Sequence, residues 1–508
     1  MLLNFSKVIF NGETMNFIST RDINSKLYTS AQVIKQGLAD DGGLFVPTEI
    51  PALTKEEILS FASLSYSELA ATVLSKFLSD FSFDELLDDC KNAYSEDHFP
   101  KDVCPLSKID DSTYSLELWH GPTCAFKDMA LQIMPKLLSR SLKKTGEDKE
   151  ALVLVATSGD TGKAALEGYK DVPQIKICVF YPQNGVSAVQ ELQMTTQNGE
   201  NVYVSAVRGN FDDIQTGVKR IFNNNDLADE LNANGYFLSS ANSINFGRLA
   251  PQIVYYVKAY SELITKGDIE FGEKINVCVP TGNFGNILAA FIAKLMGLPI
   301  NKLICASNSN NILTDFLNTG RYDKNRDFYL TMSPSMDILI SSNLERLLYL
   351  FGGIEQTKEY MELLNTNGYY QISDEIKVKI DEHFIGYFAN EEKTASTIKK
   401  YHCTFNYLMD THTAVAFSAL EDYRSEHNDN IKTVVASTAS PYKFAKNVYG
   451  AIFGDNNFND LQTLEELSAR TNTEIPLPLF ELDKKEIRFD GVTTPQNMYD
   501  TVIEFIKK

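Results

Sequence analysis

Leu116-Glu-Leu-Trp-His-Gly-Pro-Thr-Cys-Ala-Phe-Lys-Asp-Met-Ala-Leu131 is the stretch on which the reading of this chain turns, and Lys127 is its centre. Leu116 and Leu118 alternate about Glu117 as in a strand, Gly121-Pro122 ends it, and residues 128–134 have the composition of a helix. Lys127 therefore stands where a helix begins. That end of a helix carries partial positive charge, and Ala125, Phe126, Met129 and Ala130 give an ammonium little solvation. Both effects lower the lysine pKa and favour the neutral amine, the form that condenses with a carbonyl. Taken alone, a lysine in such a place more often covers apolar surface with its stem while its head reaches water. Its chemistry has to be argued from the stretches around it.

From Leu116 onward, apolar runs alternate with helical stretches, the pattern of an α/β fold with a mainly parallel sheet. Strands are expected at 151–156, 176–181, 202–207, 275–279, 303–306 and 433–436. Before about residue 95 the pattern is that of a small, mostly helical unit, opened repeatedly by capping boxes: Thr54 with Glu57, Ser65 with Glu68, Ser82 with Glu85. A helix stopped near Gly37 and a Gly42-Gly43 turn before a short strand complete it. The organisation expected is an amino-terminal domain over 1–95 and a catalytic region over 96–508 made of two α/β subdomains. Residues 318–399 read as peripheral helices and loops.

Composition narrows the classes of function. At 508 residues the chain exceeds one ordinary hydrophobic core. Its 67 acidic against 47 basic residues, a net charge of −20, repel nucleic acid and anionic membranes, so an anionic ligand needs a locally basic pocket. Seven scattered cysteines without Cys-x-x-Cys pairs indicate reduced thiols and no zinc site. The six histidines lack metal-ligand spacing, and no metal is expected; His120 and His412 read as hydrogen-bonded structural residues. Residues 1–8 show no signal peptide and no run is long enough to span a membrane, which points to a cytoplasmic protein, expected as a monomer with a dimer as the alternative.

Four further stretches bear on chemistry. After the strand at 151–156, Thr157-Ser158-Gly159-Asp160-Thr161-Gly162-Lys163 forms a small-residue turn into a helix, whose backbone N–H groups and hydroxyls suit a carboxylate or phosphate. It is not a P-loop: a glycine is missing at Thr157 and a hydroxyl at Ala164. A second such turn, Pro280-Thr281-Gly282-Asn283-Phe284-Gly285-Asn286, precedes an apolar helix and suits a compact monophosphate better than a dinucleotide. Ser437-Thr438-Ala439-Ser440-Pro441 places a hydroxyl, Thr438, that could bond a ring nitrogen or merely cap a helix. Asn242-Ser243-Ile244-Asn245-Phe246-Gly247-Arg248 offers amides around an arginine able to clamp an anion, although an arginine paired to a surface carboxylate is the commoner case. Lys127, the turn at Ser158, the turn at Gly282 and Thr438 all follow carboxyl ends of expected strands, where open α/β sheets bind ligands. One lysine, one phosphate cradle and one hydroxyl for a ring nitrogen describe a site for pyridoxal 5′-phosphate (PLP).

In combination and order, the motifs at His120, Ala156, Asn242, Pro280 and Ser437, with Gly37-Leu-Ala-Asp-Asp-Gly-Gly-Leu-Phe-Val-Pro and Asp410-Thr-His-Thr-Ala-Val, resemble the threonine synthase family of fold type II PLP enzymes. The resemblance implies that Lys127 bonds the cofactor, that Gly282, Asn283, Phe284 and Asn286 surround its phosphate, and that Thr438 meets its ring nitrogen. It implies a lyase converting O-phospho-L-homoserine and water to L-threonine and phosphate. Ser158, Gly159, Asp160 and Thr161 are then expected at the substrate carboxylate, and Lys163, Asn245 and Arg248 at the substrate phosphate. Two departures stand out: Ser440 where Thr-Ala-His-Pro is expected, and Phe246-Gly247-Arg248 in place of Trp-Ala-Arg. Two rival readings are a serine or threonine dehydratase of the same fold and a non-catalytic ligand-binding relative.

Overall fold

Two sheets flank the site, and the central strands of each are too apolar to be exposed on either side. A computed structural model describes residues 14–507 except 223 and 456, so the amino-terminal stretch read for a signal peptide lies outside the described residues. The larger sheet has six strands in the order Phe384–Phe388, Ile300–Ser307, Ile275–Pro280, Thr433–Ser437, Thr113–Glu117, Leu106–Lys108; all neighbours are parallel except the last pair. Ile275–Pro280 and Thr433–Ser437 are buried at every position, as central parallel strands covered on both faces must be. The smaller sheet has five parallel strands, ordered Val492–Thr493, Val202–Val207, Ile175–Pro182, Glu150–Ala156, Tyr236–Ser239. Every strand expected from the sequence is present. The whole is the α/β architecture expected from the sequence, with mainly parallel sheets, flanking helices and a small helical amino-terminal part.

The three capping boxes of that part form as read, each hydroxyl accepting from the backbone three residues on and each Glu reaching back. Its helix Tyr66–Ser75 buries Val73 and Leu74 in the same apolar core as the helix Pro251–Thr265. Phe246 sits edge-on to Phe17 at 4.8 Å and against Phe77 at 5.8 Å. An aromatic side chain fully buried in this way contributes about 2–3 kcal/mol. The amino-terminal part thereby fixes the 242–248 segment from below.

Two expectations are corrected. The helix read over 128–134 is two helices, Asp128–Leu131 and Met134–Lys144, because Pro135 in the first turn of the second has no N–H to continue the ladder of the first. Residues 318–399 are not merely peripheral. They supply the edge strand Phe384–Phe388, the antiparallel pair Arg321–Asp323 with Tyr369–Gln371, and the long helix Leu344–Thr366, which is broken at Gly353. Their loop before that helix also enters the site. No described helix is long and apolar enough to cross a membrane.

Candidate active site

The register of two strands carries Lys127 to Thr438. Leu116 pairs with Ala436 and Glu117 with Ser437, and the two chains stay together past the strand ends: Leu118 N–H donates to Ser437 O at 2.9 Å and Phe126 N–H to Thr438 O at 2.8 Å. Lys127 is 8% exposed, with its Nζ 5.0 Å from the centre of the Phe126 ring. It donates to Ser335 Oγ at 3.2 Å and to Asp160 Oδ2 at 3.4 Å, the latter contact crossing from one sheet to the other. Burial lowers the pKa of Lys127. Asp160 opposes that shift, and the cations Lys443 and Arg248 reinforce it. The direction of that shift is the one expected from the sequence, with burial as its main cause.

The 281–286 turn is a cradle of backbone. Phe284 lies in the left-handed region at φ 63°, unusual for an aromatic residue, and turns the chain into the helix Gly285–Leu295. Gly282 has no room for a side chain, since a Cβ there would lie 2.8 Å from Ser335 O. The turn is held from outside: Ser341 Oγ donates to Gly282 O at 2.7 Å, and Asn343 gives Asn283 O both its backbone N–H, at 3.0 Å, and its side-chain amide, at 3.1 Å. Asn286 uses its Oδ1 to accept from the Tyr255 and Tyr256 hydroxyls, leaving its buried Nδ2 without a partner among the described residues. A buried unpaired amide donor beside a helix amino end suits a phosphate.

The 157–162 turn carries charge as well. Thr157 Oγ1 accepts from Gly159 N–H and Gly162 N–H, both at 2.9 Å, and Gly159 sits at φ 129° with the Gln190 side chain where a Cβ would go. The Ser158 and Thr161 hydroxyls are half-buried and make no hydrogen bond among the described residues, which leaves them for a ligand. Asp160 is buried, accepting from Gln190 Nε2 at 2.9 Å and paired with Lys443 Nζ at 2.7 Å. Burial would raise its carboxyl, yet Lys443 and Lys127 outweigh burial and hold it well below the usual carboxylate range.

The remaining candidates separate. Arg248 is buried and gives one hydrogen bond, from Nη1 to Ala241 O at 2.6 Å; no carboxylate pairs with it among the described residues, and burial pulls it down to about 10. Asn245 is spoken for: it is wholly buried, its Nδ2 donates to Ile34 O at 2.8 Å and its Oδ1 accepts from Gly247 N–H at 2.9 Å. It caps a short helix, and neither polar end is free for a phosphate. Lys163 is likewise committed, to Glu167 at 2.8 Å and to Gln197. Thr438 is buried and its hydroxyl bonds no described residue.

Sequence reasoning missed Ser335, Asn343 and Lys443, and it passed His412 as structural. His412 is held by Asp410, Nδ1 to Oδ2 at 2.7 Å, and its Nε2 accepts from Ser335 N–H at 3.1 Å, an arrangement that places the proton on Nδ1. It thereby fixes the loop that lies over Lys127. The available signal was the run Ser333-Pro-Ser-Met-Asp, small and polar amid apolar neighbours. Among the described residues no group of side chains could hold a metal ion. Two open surface clefts, of about 480 and 330 Å3, lie along the Phe384–Phe388 edge strand and contain none of these residues.

Comparison with known proteins bears on this site as a whole. Residues 16–94 match the family profile for the threonine synthase N terminus, 110–438 that for pyridoxal-phosphate dependent enzymes, and 413–506 that for the threonine synthase C-terminal region. The chain is 38% identical over 446 residues to the threonine synthase of Pseudomonas aeruginosa, covering 87% of this chain and 91% of that one. It is also 38% identical over 472 residues to threonine synthase-like 1 of Homo sapiens; that match covers 89% of this chain and spans 62% of the relative's length. A crystal structure of PLP-bound threonine synthase from Brucella melitensis superposes with a TM-score of 0.86 at 34% identity, covering 97% of this chain and all of that one.

Proposed function

Because the chain belongs to the threonine synthase family of fold type II, PLP-dependent enzymes, we propose that it converts O-phospho-L-homoserine and water to L-threonine and phosphate. The observation that carries the phosphorylated substrate is Arg248. A buried guanidinium without a carboxylate, close enough to Lys127 to depress its pKa, is costly unless an anion arrives to pair with it. Serine and threonine bring no second anion, so a dehydratase has no use for it. In a chain of net charge −20, Asp160 is already paired with Lys127 and Lys443, and no described carboxylate is paired with Arg248.

The residues fit PLP. The unpaired Asn286 Nδ2, the space kept open at Gly282 and the backbone of Asn283 and Phe284 would take its phosphate; the free Thr438 hydroxyl would meet its ring nitrogen; Lys127 would bond its carbonyl carbon. When bound, PLP supplies an electron sink for negative charge developing beside the substrate nitrogen. The chain does the rest. Lys127, desolvated, takes the proton from the substrate Cα and is placed to move the one at Cβ. The free hydroxyls of Ser158 and Thr161 and the backbone of Gly159 and Asp160 hold the carboxylate. Arg248 holds the phosphate as it leaves and neutralises the charge it gains. His412 keeps Ser335 over the reacting amine. Residues 1–95 would act as a separate domain bracing this region, 96–508, in a monomer, with a dimer as the alternative.

The test is phosphate release from cofactor-loaded protein given O-phospho-L-homoserine, with threonine measured in the same tube. Equal amounts establish the reaction, whereas a keto acid formed from serine or threonine replaces it with a dehydratase. Absence of any turnover favours a ligand-binding role. Arg248→Ala should cost about 100-fold or more in kcat/KM for the phosphorylated substrate.

A further inference from the structure

An acidic residue is out of place in a turn that receives a carboxylate. Asp160 lies within the 158–161 turn and its carboxylate is buried, so an incoming substrate carboxylate meets a like charge at close range. The structure holds an answer in a residue that no step above uses. Lys443 is 1% exposed, and its ammonium is fastened between Thr123 O at 3.0 Å and Asp160 Oδ1 at 2.7 Å. We propose that Lys443 is a positioning residue for substrate selection: its ammonium cancels Asp160 from behind, so that the turn can accept the carboxylate of an α-amino acid.

The geometry divides the work between the two carboxylate oxygens. Oδ1 is turned to Lys443 and to Gln190 Nε2, while Oδ2 faces Lys127 at 3.4 Å and Ser335 Oγ at 3.4 Å. Lys127 cannot be the lasting partner, because the proposed chemistry occupies its amine with the cofactor. Lys443 can, since its ammonium is tied to a backbone carbonyl on the chain segment that leads to Lys127. Asp128, the other buried carboxylate nearby, takes its hydrogen bonds from Thr123 N–H at 2.8 Å and Thr123 Oγ1 at 2.6 Å, not from Lys443. The pair is therefore Lys443 with Asp160. It rests on the reading that the 158–161 turn holds the substrate carboxylate, and extends it by naming what makes that turn electrically receptive.

The experiment measures affinity of the PLP-loaded protein through the change in cofactor absorbance, using each amino acid beside the amine that lacks its carboxylate. The pairs are O-phospho-L-homoserine with 3-aminopropyl phosphate, and L-serine with ethanolamine. Wild-type protein should prefer the amino acid in each pair. Lys443→Met should lose that preference, on the order of 100-fold, with the amines bound as before, because juxtaposed like charges cost several kcal/mol. The double variant Asp160→Asn with Lys443→Met removes both charges and should regain most of it. Equal weakening of acid and amine, or no recovery in the double variant, means that Lys443 only supports the fold and overturns the proposal. So does a wild type indifferent to the carboxylate in both pairs. Preference in the serine pair alone would leave Lys443 standing while sinking the phosphorylated substrate.

Discussion

The turn at 281–286 and the turn at 157–162 both follow a buried parallel strand and both run into a helix, yet the first contains no charged side chain and the second encloses Asp160 between two lysines. They face one another from different sheets. The first is braced by neutral groups, Ser341 and Asn343, and offers N–H groups and an unpaired amide. The second is braced by an ion pair and offers hydroxyls. In the function proposed, strand–turn–helix geometry decides where a ligand comes to rest, while the side chains around the turn decide which charge it must bring.

Lys127 lies between the turns, and its removal tests both at once. Lys127→Ala should abolish cofactor attachment and turnover together, seen as loss of visible cofactor absorbance; activity like that of wild type would sink the assignment. Gly282→Ala tests the neutral turn alone. A methyl group 2.8 Å from Ser335 O forces the loops apart, and overpacking of about 1–3 kcal/mol should weaken PLP binding by about 10- to 100-fold while serine-pair selectivity is kept.

Asp160→Asn probes the charged turn. Asp160 is the neighbour that raises the pKa of Lys127 against burial, Lys443 and Arg248. Removing its charge should shift the pH midpoint of PLP attachment downward, since the neutral amine then persists to lower pH; an upward shift contradicts the arrangement. The sign for stability follows from the same imbalance. Lys127 has a folded pKa below its unfolded value of 10.5, so its contribution is present above that value and is lost as pH falls through the folded one. Unloaded protein should accordingly be less stable on the acid side of that window, as read by thermal unfolding, and Asp160→Asn should widen the loss. The smallest effect belongs to Thr157→Val, which strips the charged turn of two hydrogen bonds and should cost about 1–2 kcal/mol in denaturant unfolding with little change in PLP affinity.

Much of this was legible in the sequence, for physical reasons. Strands buried on both faces spell themselves as apolar runs, and small-residue turns at their carboxyl ends mark where a ligand can approach, so Lys127, the two turns and Thr438 could be found locally. What could not be found locally depends on partners far along the chain. Ser335 meets Lys127 from 208 residues away, and Lys443 meets Thr123 across 320. The edge strand Phe384–Phe388 was missed because only one side of it is paired, and its Gly386 and half-exposed Ile385 and Tyr387 break the apolar run. Asn245 and Lys163 mislead in the opposite direction. Their residue types suit a phosphate, but nothing in the sequence announces that Ile34, Gly247, Glu167 and Gln197 have already claimed them.

Arg346 binds distant pieces into one body. Fully buried, it donates from Nε to Phe45 O at 3.0 Å and from its other nitrogens to Ser243 O, Ile244 O and Asn343 Oδ1, beside the 281–286 turn. Phe45 and Arg346 lie 301 residues apart, an interval that a ribosome working at ~5–20 residues per second covers in ~15–60 s. Through that time the newborn amino-terminal part has a carbonyl waiting for its guanidinium and an apolar face waiting for its helix. A truncation before Arg346 should therefore leave the Phe45 carbonyl without this donor and the amino-terminal part without the helix that carries it.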